Sequence, residues 1–184
     1  MKEIQTRIRV ISAGMLNNDK GISQLIAASE VLAEKYGEFD FSNPNIGKID
    51  LISEADVFVH NMRPGSVEKL GVDATTLRTA WPSLIYGDMT AFGSSGPMAG
   101  RPGYEMALQA YGGIMSITGT EEGGPVRAGP SLNDFGTGMW TAIGVLAALV
   151  RRGISGEGCV IETSLFETAV NQVHYQLMMS SQIY

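Results

Sequence analysis

The chain is predicted to be an α/β protein with a largely parallel sheet and flanking helices. Two short apolar runs, Val57-Phe58-Val59 and Leu84-Ile85-Tyr86, have the continuous hydrophobicity of strands buried on both faces. These runs alternate with stretches of helical spacing, the order that builds parallel sheets. The 23 glycines among 184 residues supply the tight turns that such alternation needs.

Taken in order, Ile8 to Ile11 reads as a short strand, followed by the polar turn Asn17-Asn18-Asp19-Lys20. Ile22 to Tyr36 has helical spacing at Ile22, Leu25, Ile26, Val31 and Leu32 and stops at Gly37. Phe39 to Gly47, with Asn43-Pro44-Asn45, is loop. Asp56 to His60 is a buried parallel-type strand, and Asn61-Met62-Arg63-Pro64-Gly65 is the turn after it. Short helices are expected over Ser66 to Leu70 and Ala74 to Thr79, before Trp81-Pro82 breaks the chain. Leu84 to Met89 is a strand, and the Gly/Ser/Pro-rich Ala91 to Gly103 is loop. Tyr104 to Ser116 is a helix carrying Gly112 and Gly113, and Thr118 to Pro130 is a second loop. After the Asp134 motif a helix runs to Arg152, apolar on nearly every face and expected to be buried. Gly153 to Gly158 turns the chain into a strand over Val160 to Thr163, and a last helix covers Leu165 to Ser180. No internal repeat or domain boundary is visible, and 184 residues suffice for one well-cored domain.

Composition narrows the function classes. A net charge of −6 argues against nonspecific nucleic-acid binding. The longest apolar stretch, Trp140 to Val150, is too short to span a bilayer, and no secretory leader is visible. Cys159 is the one cysteine, so no internal disulfide can form, and a small buried or half-buried role is expected for it. Together these features predict a soluble, cytoplasmic protein. His60 and His174 have no ligand-spaced partners, so no metal site is expected. Both histidines read as structural. Neither a Walker motif nor a full dinucleotide fingerprint is present.

The most informative run is Ser131-Leu132-Asn133-Asp134-Phe135-Gly136-Thr137-Gly138. A carboxylate where a helix begins is stabilised by free backbone N–H groups and the helix dipole. Such a carboxylate can act as a covalent nucleophile, and it can equally serve as a helix cap. These residues alone leave both roles open. Gly136 and Gly138 give a bulky ligand access to the backbone. In parallel sheets ligands gather at loops after strand carboxyl ends, here Asn61 to Gly65 and Ala91 to Gly103.

Several pieces, in order, resemble the family III CoA-transferases (the CaiB/BaiF family, with the formyl-CoA transferase and carnitine CoA-transferase group). They are Ala55-Asp56-Val57 with Asn61-Met62-Arg63-Pro64-Gly65, Leu70-Gly71, Ala91-Phe92-Gly93 with Gly96-Pro97, Arg101-Pro102-Gly103-Tyr104-Glu105 and Gln109-Ala110. Asn133-Asp134 with Thr137-Gly138, Gly156-Glu157-Gly158 and Glu162-Thr163-Ser164-Leu165-Phe166-Glu167 complete the set, which spans about Ile52 to Val170.

The resemblance implies a partial large domain of Rossmann-like fold. Residues 1–50 match weakly, and 51–184 form the central portion. It implies CoA transfer from an acyl-CoA to a carboxylic acid. Asp134 would be the nucleophile, passing through an aspartyl anhydride and an aspartyl-CoA thioester, and Glu105 the acid that positions its surroundings. Asn61, Met62, Arg63, Lys69 and Leu70 would line the CoA site, Lys69 and Arg63 near the phosphates. Pro102, Gly103 and Tyr104 would lie over the pantetheine arm. The CoA thioester is a substrate, and no tightly bound cofactor is implied.

The chain departs from the family pattern at Met62, Glu105 and Cys159, where Phe, Asp and Gln are commoner. It is also shorter than full members. That predicts a fragment, one subunit of a split enzyme or a decayed paralogue, with a homodimer or a partner subunit as its assembly. Two other readings are an acyl-CoA racemase of the same superfamily and a non-catalytic CoA-binding or assembly remnant. Racemases carry histidine where this chain has Tyr104, and a phenol is a poor base near neutral pH.

Overall fold

The computed structural model describes residues 10–13 and 52–180. The expected helix over Ile22 to Tyr36 and the loop at Phe39 to Gly47 lie outside the described residues, as do Ile8 and Arg9.

A parallel four-stranded sheet forms the centre. Its strands are β1 (Val10–Ala13), β2 (Val57–His60), β3 (Ile85–Thr90) and β6 (Val160–Ser164), in the order β1-β2-β3-β6. The register sets Val57 beside Ile85, His60 beside Asp88, and Asp88 beside Glu162. Helices α1 (Ser66–Leu70) and α2 (Ala74–Ala80) connect β2 to β3. Between β3 and β6 come α3 (Glu105–Tyr111), α4 (Ile114–Ile117), the hairpin β4 (Gly119–Thr120) and β5 (Gly124–Pro125), and the long helix α5 (Leu132–Ser155). After β6 follow α6 (Leu165–Gln172) and α7 (His174–Ser180). The α/β prediction therefore holds.

Side-chain alternation in β2 explains the layering. Phe58 packs with Ile52, Val67, Val72, Leu77, Leu84 and Tyr86 on the α1/α2 face. Val57 and Val59 point the other way, into a cluster with Ile85, Met89, Val145 and Ala148 under α5. Each large side chain buried in these layers stabilises the fold by roughly 1.5–3 kcal/mol. Cys159 is half-buried at the edge of the second cluster.

Several boundaries differ from the sequence expectation. The helix expected over Tyr104 to Ser116 is two helices, because Gly113 adopts φ +85°, a left-handed conformation that ends one helix and starts the next. The loop over Thr118 to Pro130 contains the β4–β5 hairpin. The last helix breaks at Val173, which caps α6. Helix α5 begins at Leu132 and continues to Ser155, so part of the expected Gly153 to Gly158 turn is helical.

The burial expected for α5 is also corrected. Its inner stripe, Asn133, Thr137, Thr141, Val145 and Ala148, is buried. Met139, Ile143, Leu146, Val150 and Ile154 face outward, Met139 being 65% and Ile154 88% exposed. One sheet face buries one stripe of a helix, whatever the composition of the opposite stripe.

Candidate active site

The direction of α5 places its two ends. Near its C-terminus, Arg152 pairs with the Asp56 carboxylate at 2.9 Å, just before β2 begins. Nearer its N-terminus, the Thr141 and Thr163 hydroxyls lie 2.8 Å apart, and the Thr137 hydroxyl contacts the Ser164 carbonyl at the end of β6. Helix α5 therefore runs antiparallel to the strands, and its first turn stands at the carboxyl edge of the sheet. The loop at Asn61 leaves β2 at that same edge. This is the edge where parallel sheets bind ligands.

Asp134 lies inside the first turn of α5, whereas the sequence places it just before the helix. The N-cap is Ser131, whose side chain makes no capping hydrogen bond. Glu105 supplies what Ser131 does not. One oxygen of its buried carboxylate accepts the Asp134 N–H at 2.8 Å, and the other accepts the Asn133 N–H at 3.2 Å. The amide of Gln109, one turn on in α3, donates to Glu105 at 2.7 Å and takes the Ala128 N–H on its own oxygen. Thus α3 caps α5, and the backbone beneath the Asp134 carboxylate is fixed from a second helix. Asp134 itself is half-exposed.

The other candidate residues divide into two groups. Pro102 and Gly103 lead into Tyr104, the N-cap of α3, which is 60% exposed and so is no core aromatic. A side chain at Gly103 would press on Leu108, Ala91 and Phe92, so the loop passes tightly over the end of β3. Asn61, Met62 and Arg63 form the turn after β2, and Lys69 and Leu70 end α1. Arg63 and Lys69 are exposed, Leu70 is partly exposed and Met62 packs on the α1/α2 core. The Asn61 side-chain oxygen is buried and has no hydrogen-bond partner among the described residues.

Under this turn sits a buried polar group. The Tyr86 hydroxyl donates to the Val72 carbonyl at 3.0 Å, which leaves its oxygen to accept the His60 Nε2–H at 2.8 Å. His60 Nδ1 then accepts the Met62 N–H at 3.3 Å. Asp88 Oδ1 stands 3.5 Å from His60 Nε2, an ion-pair separation, yet burial disfavours both charges. Burial lowers the His60 pKa to about 4. Burial first, then the carboxylates of Glu162 and Glu68, raises Asp88 to about 6. A neutral imidazole is also what the Met62 contact requires. Tyr86 is pushed up, chiefly by burial and then by Asp88, Asp73 and Glu68.

Sequence reasoning misses three of these features. Gln109 is visible as part of the matching Gln109-Ala110 pair, but its bond to Glu105 is missed, although the i+4 spacing on one helix face could have flagged it. The His60 contacts carry no sequence signal. Asn133 is 0% exposed, and neither of its side-chain amide atoms has a hydrogen-bond partner among the described residues, which no local pattern foretells. Among the described residues no group of His, Cys, Asp or Glu could hold a metal ion, and no helix is long and apolar enough to cross a membrane.

A family model described as CoA-transferase family III matches residues 48–183. An acyl-CoA transferase from Fusarium pseudograminearum is 39% identical over 123 residues, 67% of this chain and 27% of that protein. A succinyl-CoA:mesaconate CoA-transferase from Haloarcula hispanica is 35% identical over 127 residues, 67% of this chain and 32% of that protein. The crystal structure of a CaiB/BaiF family protein from Brucella suis superposes with a TM-score of 0.70 at 35% identity, covering 76% of this chain and 37% of that one. The chain thus spans about a third of the length of the curated relatives it matches.

Proposed function

Because the chain belongs to CoA-transferase family III, we propose that it moves coenzyme A from an acyl-CoA donor to a carboxylic acid acceptor, with Asp134 as the nucleophile. The observation that carries this reading is the first turn of α5. There Asp134 stands half-exposed at the carboxyl edge of the sheet, on backbone that Glu105 holds.

An Asp134 oxygen attacks the thioester carbonyl carbon, the C–S bond breaks, and CoA leaves as thiolate with an aspartyl-acyl anhydride behind. The thiolate attacks the aspartyl carbonyl and expels the donor acid as carboxylate, leaving an aspartyl-CoA thioester. The acceptor carboxylate attacks that thioester, forming a second anhydride and freeing the thiolate. Attack of the thiolate on the acceptor's acyl carbon then yields the new acyl-CoA and restores the Asp134 carboxylate. Atoms and charge balance without any further reactant, and one difficult exchange becomes a series of easier ones.

In this reading Asn61, Met62, Arg63, Lys69 and Leu70 receive CoA, with the exposed ammonium of Lys69 and guanidinium of Arg63 near its phosphates. The Asn61 oxygen, which has no hydrogen-bond partner among the described residues, would accept an amide N–H of the pantetheine arm. Tyr104, Gly103 and Pro102 cover the thioester. Glu105 is a positioning residue, since its contacts are to backbone N–H groups. The outward apolar stripe of α5 fits a homodimer or a partner subunit, and the cytoplasm is the compartment where acyl-CoA would be met.

The test follows CoA passing from an acyl-CoA to a free acid in the presence of this chain. Asp134→Ala is expected to reduce transfer by more than about a thousandfold while the fold is kept. Transfer retained by Asp134→Ala would overturn the assignment.

A further inference from the structure

We propose that His60 and Tyr86 form a clamp that holds both ends of the segment Asn61–Val72 in the shape that receives coenzyme A. The proposal rests on the reading of that segment as the CoA site. It makes both residues positioning residues, without contact to the ligand.

The geometry is that of one relay with two outputs. At one end His60 Nδ1 accepts the Met62 N–H at 3.3 Å, and at the other the Tyr86 hydroxyl donates to the Val72 carbonyl at 3.0 Å. The two side chains join at 2.8 Å. Both are buried, His60 at 2% and Tyr86 at 1% exposure, and their rings pack edge-on at 5.2 Å with Phe58 against both. Neither ring can turn without opening the core, so the two anchor points are fixed relative to strands β2 and β3.

The segment between the anchors depends on contacts from outside itself, with Val67 and Val72 in the core cluster of Phe58 and Tyr86. Helix α1 has five residues, too few to persist without outside contacts. It is flanked by Gly65 and Gly71, both left-handed at φ +78° and +66°, where the chain turns sharply. Arg63, Lys69 and Leu70 lie between the anchors, and Asn61 lies between His60 and Met62. A loop already fixed in its bound form loses less freedom when the ligand arrives. His60, a structural residue by its sequence position, thereby gains a link to ligand affinity.

Three variants separate the two anchors. Tyr86→Phe keeps the ring and loses the Val72 contact together with the acceptor for Nε2. His60→Leu loses both His60 contacts. His60→Asn retains an oxygen near the place of Nδ1 and loses the link to Tyr86. Each is compared with the wild-type chain by titration with CoA itself and by amide exchange, after circular dichroism has shown the fold intact.

His60→Leu and Tyr86→Phe are expected to weaken CoA binding on the order of three- to tenfold. Exchange should accelerate within residues 61–72 and stay unchanged at Val145 and Ala148. His60→Asn should restore protection at Met62 and keep Val72 held, since the Tyr86 hydroxyl still donates to its carbonyl, whereas Tyr86→Phe should loosen Val72. Unchanged exchange across 61–72, or acceleration spread evenly over the chain, would overturn the clamp. Failure of the wild-type chain to bind CoA would overturn the CoA reading and the purpose given to the clamp, while the exchange data still decide whether the clamp exists.

Discussion

Replacing Glu105 by alanine removes a buried carboxylate that accepts from the Asp134 N–H at 2.8 Å, the Asn133 N–H at 3.2 Å and the Gln109 amide at 2.7 Å. The Ser131 side chain makes no capping hydrogen bond that could substitute. Loss of a helix cap costs about 1 kcal/mol, and a hydrogen bond to a charged acceptor contributes about 1.5–3 kcal/mol. The contacts share one acceptor group and do not add fully, so about 3–4 kcal/mol is expected for Glu105→Ala. Glu105→Gln keeps one acceptor oxygen and the shape, and should cost about half as much. With a urea slope of about 2 kcal/mol/M, the alanine variant moves the unfolding midpoint down by roughly 1.5–2 M. Amide exchange at Asn133 and Asp134 should accelerate in both variants. A loss below about 0.5 kcal/mol with unchanged slope would refute the claim that α3 caps α5.

His60 and Asp88, under the turn that follows β2, predict opposing pH effects. His60 has a folded pKa of about 4 against 6.5 for the free side chain, so the unfolded chain binds the extra proton and stability rises with pH through that window. Asp88 has a folded pKa of about 6 against 3.8, so its contribution is lost as pH rises through its window. The two nearly cancel in the wild type between pH 4 and 6, and Asp88→Asn should expose the His60 slope as a gain of up to about 3 kcal/mol from pH 4 to 6.5. A flat denaturation profile in that variant would contradict a buried neutral His60. Gly112→Ala drives a methyl into the Ala169 side chain, which is fully buried, and should cost about 1–3 kcal/mol in thermal or urea unfolding. Gly153→Ala meets open space near the end of α5 and should stabilise by about 0.5–1 kcal/mol in the same assay.

Legibility in the sequence follows the range of the forces involved. Strands β2 and β3 are readable because burial on both faces leaves an unbroken apolar run, and Ser66–Leu70 because Gly65 and Gly71 bracket it. The breaks at Gly113 and Val173 are not, since the residues around them continue a helical pattern and tertiary packing chooses where it ends. The outward stripe of α5 misleads, because apolar composition reports what a helix could bury and not what one chain gives it to bury against. At the candidate site, the motif around Asp134 is local and visible. The hold of Glu105 on its backbone spans 29 positions and exists only once α3 crosses α5. The His60–Tyr86 contact spans 26 positions and is equally silent in sequence.

The most direct measurement is the intact mass of the chain after mixing with acyl-CoA, beside Asp134→Ala treated identically. An added mass of acyl or CoA is expected on the wild-type chain, localised to the peptide carrying Asp134 and absent from the variant. An adduct that persists in Asp134→Ala, or a folded wild-type chain that binds CoA and gains no mass, would contradict Asp134 as the nucleophile.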